Sequence, residues 1–525
     1  MKIHFMKLIQ SHLKTYSLIF LILFSTSDSI SAVKLDQLQL NKANRDISKT
    51  LKKSQISLPK GFNMEKDELA NLSSSANQFS LLDSLKFAII NNPGIQSNRD
   101  ELNTLILRYH QTLDSYSPQL KSSLSYIISD SKNSSKETSH QQNFGITQKT
   151  GLGGRVNLDF SSAIKPENNT QHSSQIDLQV NQPLLKGFGR FISRENAISD
   201  KRSLLYEFRD FKNQIDRFAI NIIQQYTNIV NQEIKNENFK RQFLKDQWLY
   251  KRTLAFFNIG RVSKLELLRV NQRKHNSENA WKNRIESWKN SIESFKLLMN
   301  FNSEGHLSLK PFAVVYKPLE ANGLEQIVIA LSNRLDYETS KDILEDAKRQ
   351  YKIAKNGLLP ELSLNAKAGI RTDKTSNKWL DQDLNKHRYS STLSLNIPLN
   401  KIADRIEIFE AQNTIQRRER NHKLLKSTIS IEVRNRIRSI KQLEKSIEIQ
   451  NLILASEEKR YGVAQYRFQT GEVSNREVIE ASESLTIAEN AKLDLYLEHF
   501  IERLNLENDM GTLSLDYLFN LLKAS

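Results

Sequence analysis

The chain has 525 residues, a formal net charge of +17, no cysteine, and only 16 glycines and 9 prolines. The missing cysteine excludes a disulfide framework, a thiolate metal site and a lipidated N-terminal cysteine. The scarce helix breakers favour long uninterrupted elements. A basic balance can serve nucleic acid or anionic lipid. Here, however, Lys and Arg are interleaved with Glu and Asp along helical stretches, which reads as solvated helix faces and no nucleic-acid partner.

Residues 1–31 read as a secretory signal peptide: Lys2, Lys7 and Lys14, then the apolar run Tyr16 to Phe24, then small polar residues to Ser31 and Ala32, where cleavage is expected. The apolar run is about half the roughly 20 residues of a spanning helix. Its removal leaves about +15 on the rest of the chain. Residues 32–78 are polar and without period, and are expected to be a disordered extension. No later stretch is apolar enough to span a membrane as a helix, so a membrane role requires strands.

From residue 79 the chain reads as one unit written twice. Pro118 in Ser117-Pro118-Gln119-Leu120 is answered by Pro360 in Leu359-Pro360-Glu361-Leu362, an offset of 242. Pro183 and Arg190 are answered by Pro398 and Arg405 at an offset of 215, and Gly260 and Met299 by Gly471 and Met510 at 211. A period this long is a duplicated unit, not a solenoid. The first repeat, 79–310, and the second, 325–511, flank a linker, 311–324; a tail, 512–525, follows.

Each repeat begins with a helix and proceeds to strands, expected at about 120–131 and 174–182 in the first repeat and 361–371 and 389–397 in the second. Leu120, Leu124, Tyr126 and Ile128 show the alternation of half-exposed strands. The polar runs from Asp130 and from Thr372 to His387 suit water-exposed tips between paired strands. An extra hairpin at 142–163, around Gly151 to Gly154, is present only in the first repeat; the pattern leaves open whether it joins the sheet.

The strands give way to long helices. No glycine or proline interrupts Arg190 to Ile259 or Leu399 to Tyr461, and the first of these stretches could extend roughly 100 Å as one helix. Phe208, Phe211, Ile215, Phe218 and Ile222 recur every three or four residues, as do Val433, Ile437, Ile440, Leu443 and Ile447. Stripes one seam wide belong to helices packed side by side.

Enzyme signatures are missing: the ten histidines make no metal-ligand spacing, no nucleophile elbow or phosphate loop occurs, and Gly187 to Gly189 is only a fragment of a dinucleotide loop. We therefore expect no catalytic residue, cofactor or metal. Two or four strands per chain are too few to close a barrel, and an open sheet edge cannot face lipid. Several copies closing a shared barrel would resolve this.

In the order of its prolines, the run Pro183 to Arg190 and its two glycine-centred helix turns, the chain resembles the TolC family of outer-membrane factors from about Phe79 to Gly511. The resemblance implies a mainly α fold with β: two tandem repeats of long coiled-coil-like helices plus membrane strands, forming a trimeric β-barrel continued by a periplasmic α-helical barrel. It implies four strands per chain, hence twelve in the barrel, or more with the extra hairpin. It further implies an outer-membrane location and a passive exit duct of a tripartite efflux pump or type I secretion system. The implied partners are two further copies, a periplasmic adaptor, an inner-membrane pump of RND, ABC or MFS type and outer-membrane lipid.

The resemblance also assigns sites. The adaptor-docking tips fall on Ile259, Gly260, Arg261, Val262 and Ser263 and on Thr470, Gly471, Glu472, Val473 and Ser474. A periplasmic gate falls on Glu266, Phe468, Glu477 and Glu480, with Glu where the family has Asp and Val473 where it has a gate-locking Arg. Whether these acids line the pore or pair with arginines on neighbouring helices is open. Pro118, Pro183, Pro360 and Pro398 mark the strand-helix boundaries. The competing reading is a coiled-coil scaffold, exported or soluble, or a basic nucleic-acid binder without transport activity.

Overall fold

The computed structural model describes residues 78–131, 134–165, 171–312, 314, 316–320, 323–371, 387–470, 472–515 and 517–519. The signal peptide and almost all of the N-terminal extension lie outside them, as does Gly471. In chain order the elements are α1 (Leu81–Asn91), α2 (Pro93–Asp114), β1 (Gln119–Ser131), β2 (Ser134–Lys149), β3 (Arg155–Lys165), β4 (Gln171–Pro183), α3 (Arg190–Ser193), α4 (Glu195–Asn258), α5 (Lys264–Met299), α6 (Gly323–Asn333), α7 (Leu335–Gly357), β5 (Glu361–Arg371), β6 (His387–Asn396), α8 (Ile402–Thr470) and α9 (Asn475–Asp509).

The duplication is visible in element lengths. Helices α1 and α2, of 11 and 22 residues, recur as α6 and α7, of 11 and 23. Helices α4 and α5, of 64 and 36 residues, recur as α8 and α9, of 69 and 35. At 1.5 Å per residue α4 and α8 each run roughly 100 Å. No helix among the described residues is long and apolar enough to cross a membrane.

The strands form one antiparallel sheet in chain order, β1-β2-β3-β4-β5-β6. Two expectations are corrected here. Strand β1 pairs with β2 and not with the returning strand β4, because the extra hairpin, β2 and β3, is inserted between them. An inserted pair preserves the up-down alternation, so the sheet absorbs it without a crossover, and the chain supplies six strands where the resemblance alone implied four. The polar run from Asp130 is also not a long loop. Ser134 to Glu137 already belong to β2, since ladder bonds use backbone groups and accept a polar sequence.

The apolar stripes of the long helices are buried. Phe208, Phe211, Ile215 and Ile222 join a cluster with α1, α5 and the end of α9, while Val433, Ile437 and Ile440 pack with Ala330, Leu506 and Met510. Of the described residues after Gly511, Leu513, Leu515 and Leu518 enter the first cluster. Tyr226 on α4 sits fully buried, and its hydroxyl meets the carbonyls of Lys310 (2.7 Å) and Phe79 (3.0 Å), tying the end of the first repeat to its start. Arg209, also buried on α4, reaches Glu338 (2.7 Å) and Asp342 (2.8 Å) on α7, so an ion pair clamps one repeat to the other.

Asp216, next to the buried Ile215 and one turn before the buried Ala219, is itself buried, and that burial pushes its carboxyl up to about 7, tempered by Lys212. An unfolded Asp ionises near 3.9. The folded state therefore loses relative stability as pH rises from about 4 to 7, and carries the full penalty above that range. Asp216→Asn is expected to raise thermal stability at pH 8, by up to about 4 kcal/mol, and to have little effect at pH 4. Equal unfolding midpoints for the two proteins at pH 8 would contradict this.

Candidate functional site: an open sheet and two helix turns

The sheet separates its side chains by polarity. Residues directly opposite in register share a face. One face carries Leu120, Ile146, Leu158, Leu178, Ala368 and Tyr389; Phe144, Phe160, Ile176 and Ile370 lie on it as well. The other carries Asn143, Ser161, Gln175, Asn181, Asn365 and Thr392. Among the described residues no helix covers the apolar face: Leu120 is 82% exposed and Tyr389 84%. An uncovered apolar face backed by a polar one is the pattern of a barrel wall between lipid and water. Strands of 10 to 16 residues are long enough to span. Among the described residues β1 pairs only with β2 and β6 only with β5, so both edges are open.

The boundary prolines stand where sheet becomes helix. Pro118 and Pro360 immediately precede β1 and β5, Pro183 is the last residue of β4, and Pro398 follows β6 by two residues. A proline at a strand end costs no ladder bond. The β2-β3 turn docks at this junction. The Gly189 amide donates to the Leu152 carbonyl (3.0 Å) and the Ser193 hydroxyl to Gly151 (2.7 Å), while Gly153, at φ +92°, lies against the Gly187 carbonyl so closely that a Cβ would collide with it. The inserted hairpin is thus built into the junction.

At the far end of the helices, α4 closes in a Schellman turn. Gly260, at φ +74°, donates to Phe257 O (2.9 Å), and Arg261 donates to Phe256 O (2.9 Å). The side chains of Ile259 and Arg261 are exposed, Val262 is half-buried, and Ser263 caps α5 by accepting from the Glu266 amide (3.2 Å). The second turn repeats the outer bond, Glu472 N to Arg467 O at 2.9 Å. Thr470, Glu472 and Ser474 are exposed, Val473 is half-buried, and Gly471 lies outside the described residues.

The two turns interlock. Asn475, buried at the start of α9, donates to Thr253 Oγ1 and to Glu266 Oε1, both at 3.2 Å. Arg252 of α4 lies over the Phe468 ring, 4.6 Å from its centroid. Structure therefore gives Glu266 and Phe468 partners across the tip. Glu480 pairs at 2.7 Å with Arg476, on its own helix rather than on a neighbour, and this cation holds its carboxyl below the usual range. Glu477 is exposed three residues before it.

Sequence reading missed a polar seam behind the tips. Gln242 of α4 accepts from Ser482 (2.9 Å) and Thr486 (3.2 Å) of α9, Asn238 donates to Asn490 (2.8 Å), and buried Asp246 lies 3.3 Å from Arg273 of α5. Helical period alone does not distinguish a polar seam from a wet surface.

Residues 327–512 match the family model of outer membrane efflux proteins. No curated protein sequence matches the chain. In fold it is similar to the outer membrane protein VceC of Vibrio cholerae (TM-score 0.63, 14% identity, 82% of this chain and 96% of that one). It is similar also to the CmeC outer membrane channel of Campylobacter jejuni (0.63, 15%, 89% and 93%) and to the MtrE outer membrane channel of Neisseria gonorrhoeae, solved in its open state (0.61, 12%, 83% and 91%). Residues 327–512 thus match the outer membrane efflux protein family, and the chain has the fold of the VceC, CmeC and MtrE channels.

The open space around Gly260 means that its substitution tests conformation alone. Gly260→Ala places an L-residue at positive φ, at a cost of roughly 1–2 kcal/mol, and Gly260→Asn should cost less. Amide exchange across residues 256–263 is expected to quicken about tenfold in the alanine variant. Unchanged exchange would show that the turn does not depend on this glycine.

Proposed function

We propose that three copies close one barrel and one helical tunnel, forming the passive exit duct of a tripartite efflux pump or type I secretion system, without a catalytic step. The observation that carries this reading is the six-stranded sheet with two open edges, apolar on its uncovered face and polar on the other. Lipid requires those edges to be paired, and other copies of the chain can pair them. The continuation of the sheet into α4 and α8 then makes the tunnel wall.

In this reading the tips at Ile259 to Ser263 and Thr470 to Ser474 dock a periplasmic adaptor, which links the duct to an inner-membrane pump of RND, ABC or MFS type. Exposed Ile259, Leu265 and Leu268 support docking, as solvent-facing apolar side chains at the end of the structure. Glu266, Phe468, Glu477 and Glu480 form the gate: opening it requires the Arg252 contact with Phe468 and the Asn475 contacts to be broken. Carboxylates from three copies around one axis would favour cations.

The test is made in the native envelope. A photo-crosslinking residue at Ile259 should capture an adaptor protein, and the full chain should remain with the outer-membrane fraction as a trimer. Replacing Glu477 and Glu480 together by Gln should lower cation preference in planar bilayers. A soluble monomer that captures nothing would instead fit the scaffold reading, and unchanged selectivity would remove the two acids from the gate.

A further inference from the structure

The polar face of the sheet carries a charge pattern that a passive duct does not require. Every Lys, Arg, Asp and Glu whose side chain is described in the six strands lies on this face and none on the apolar one. Six are basic: Lys121, Lys149, Arg155, Lys367, Arg371 and Arg388. Three are acidic: Asp159, Asp177 and Glu361. The described part of the wall therefore holds a net +3 per chain.

The charges are ordered. Lys121, Gly145, Asp159, Asp177, Gly369 and Arg388 stand directly opposite one another, one on each strand, in a single row across the sheet. Asp177, in the middle, is 6% exposed and serves two cations: it accepts from Arg388 at 2.9 Å and lies 3.5 Å from Lys367. Both cations stay nearly half exposed, at 46% and 45% of their side chains. One buried anion beneath two half-exposed cations leaves a positive surface toward the water. Glycine makes the arrangement possible, because a Cβ on Gly369 would collide with the Asp177 carboxylate, and one on Gly145 with that of Asp159. The carboxylates can thus lie along the wall while the longer cations stand over them.

The row begins and ends on the two open edges, with Lys121 on β1 and Arg388 on β6. When β6 of one copy meets β1 of the next, the positive ends of two rows come onto neighbouring strands, with Lys367 on the strand behind. We propose that this row makes the barrel an anion-selecting segment, so that the duct favours anionic solutes, with Lys121, Lys367 and Arg388 as the selectivity-determining residues and Asp177 as the residue that positions two of them. The inference rests on the channel reading and opposes the cation preference assigned to the gate at the other end.

The experiment uses the full-length protein in planar bilayers, with the chloride-to-potassium permeability ratio taken from reversal potentials under a KCl gradient. Replacing Lys121, Lys367 and Arg388 by Gln should lower that ratio roughly twofold or more. Asp177→Asn should raise it, a sign that nonspecific damage to the wall would not produce. Both changes should shrink between 0.1 M and 1 M salt, as the screening length falls from about 10 Å to about 3 Å. Should the triple variant fail to assemble, Lys367→Gln alone, at a half-exposed position, should move the ratio in the same direction. A ratio unmoved by the substitutions, or moved the same way by Asp177→Asn and by the basic replacements, overturns the inference while leaving the channel intact. Failure of the wild-type protein to form any channel overturns the channel reading itself.

Discussion

In hydrocarbon, a backbone N–H or C=O without a partner costs several kcal/mol, and no water is present to relieve it. The rest of this structure depends on that constraint. Strands β1 to β6 satisfy one another internally, but β1 and β6 each present a row of unpaired groups. A charged or bulged edge would suffice in water. Here β1 is among the most apolar strands, and Leu120, Leu124, Tyr126 and Ile128 all point to the uncovered face. Such an edge is made to be covered, and another copy of the chain carries the complementary one.

The helices follow from the strands. Each repeat leaves the sheet through a proline-marked junction, so helix positions around any shared barrel are set by strand positions. The β2-β3 turn, wedged between the sheet and the segment Pro183 to Arg190, makes the inserted hairpin part of that junction. Farther out, stability passes from apolar stripes to polar contacts. The core clusters lie in the middle of the long helices, whereas the seam toward the tips is held by Gln242, Asn238, Asp246 and Arg273. If the tips part as proposed, hydrogen bonds, which water can replace, serve that end better than an interlocked apolar core.

Much of this was legible in the sequence, for identifiable reasons. The stripe from Phe208 to Ile222 shows helical period because it packs on one side only. Gly260 stands out because its positive φ disfavours residues with a Cβ. Strand β1 shows alternation because Leu120, Leu124, Tyr126 and Ile128 share one face of the sheet. The first half of β2 is not legible: Ser134 to Gln141, ahead of the expected hairpin, holds no apolar residue, and only the ladder with β1 defines it. The same limit hid the polar seam and the ion-pair clamp at Arg209, since a buried charge and a solvated one have the same letter. Of the candidate site, the positions of the turns could be read, but not the Asn475 and Arg252 contacts that join them, which depend on residues roughly two hundred apart in the chain.

The closure of the sheet by copies of itself is tested most directly at its edges. The chain lacks cysteine, so one variant can carry Ser123→Cys on β1 and a second Thr392→Cys on β6, the two being co-expressed and treated in intact outer membranes with a short bismaleimide. The account predicts a covalent dimer joining one variant to the other, formed far faster than a dimer of either variant alone. Absence of the mixed dimer in membranes that contain both proteins would contradict edge-to-edge closure, and with it the barrel.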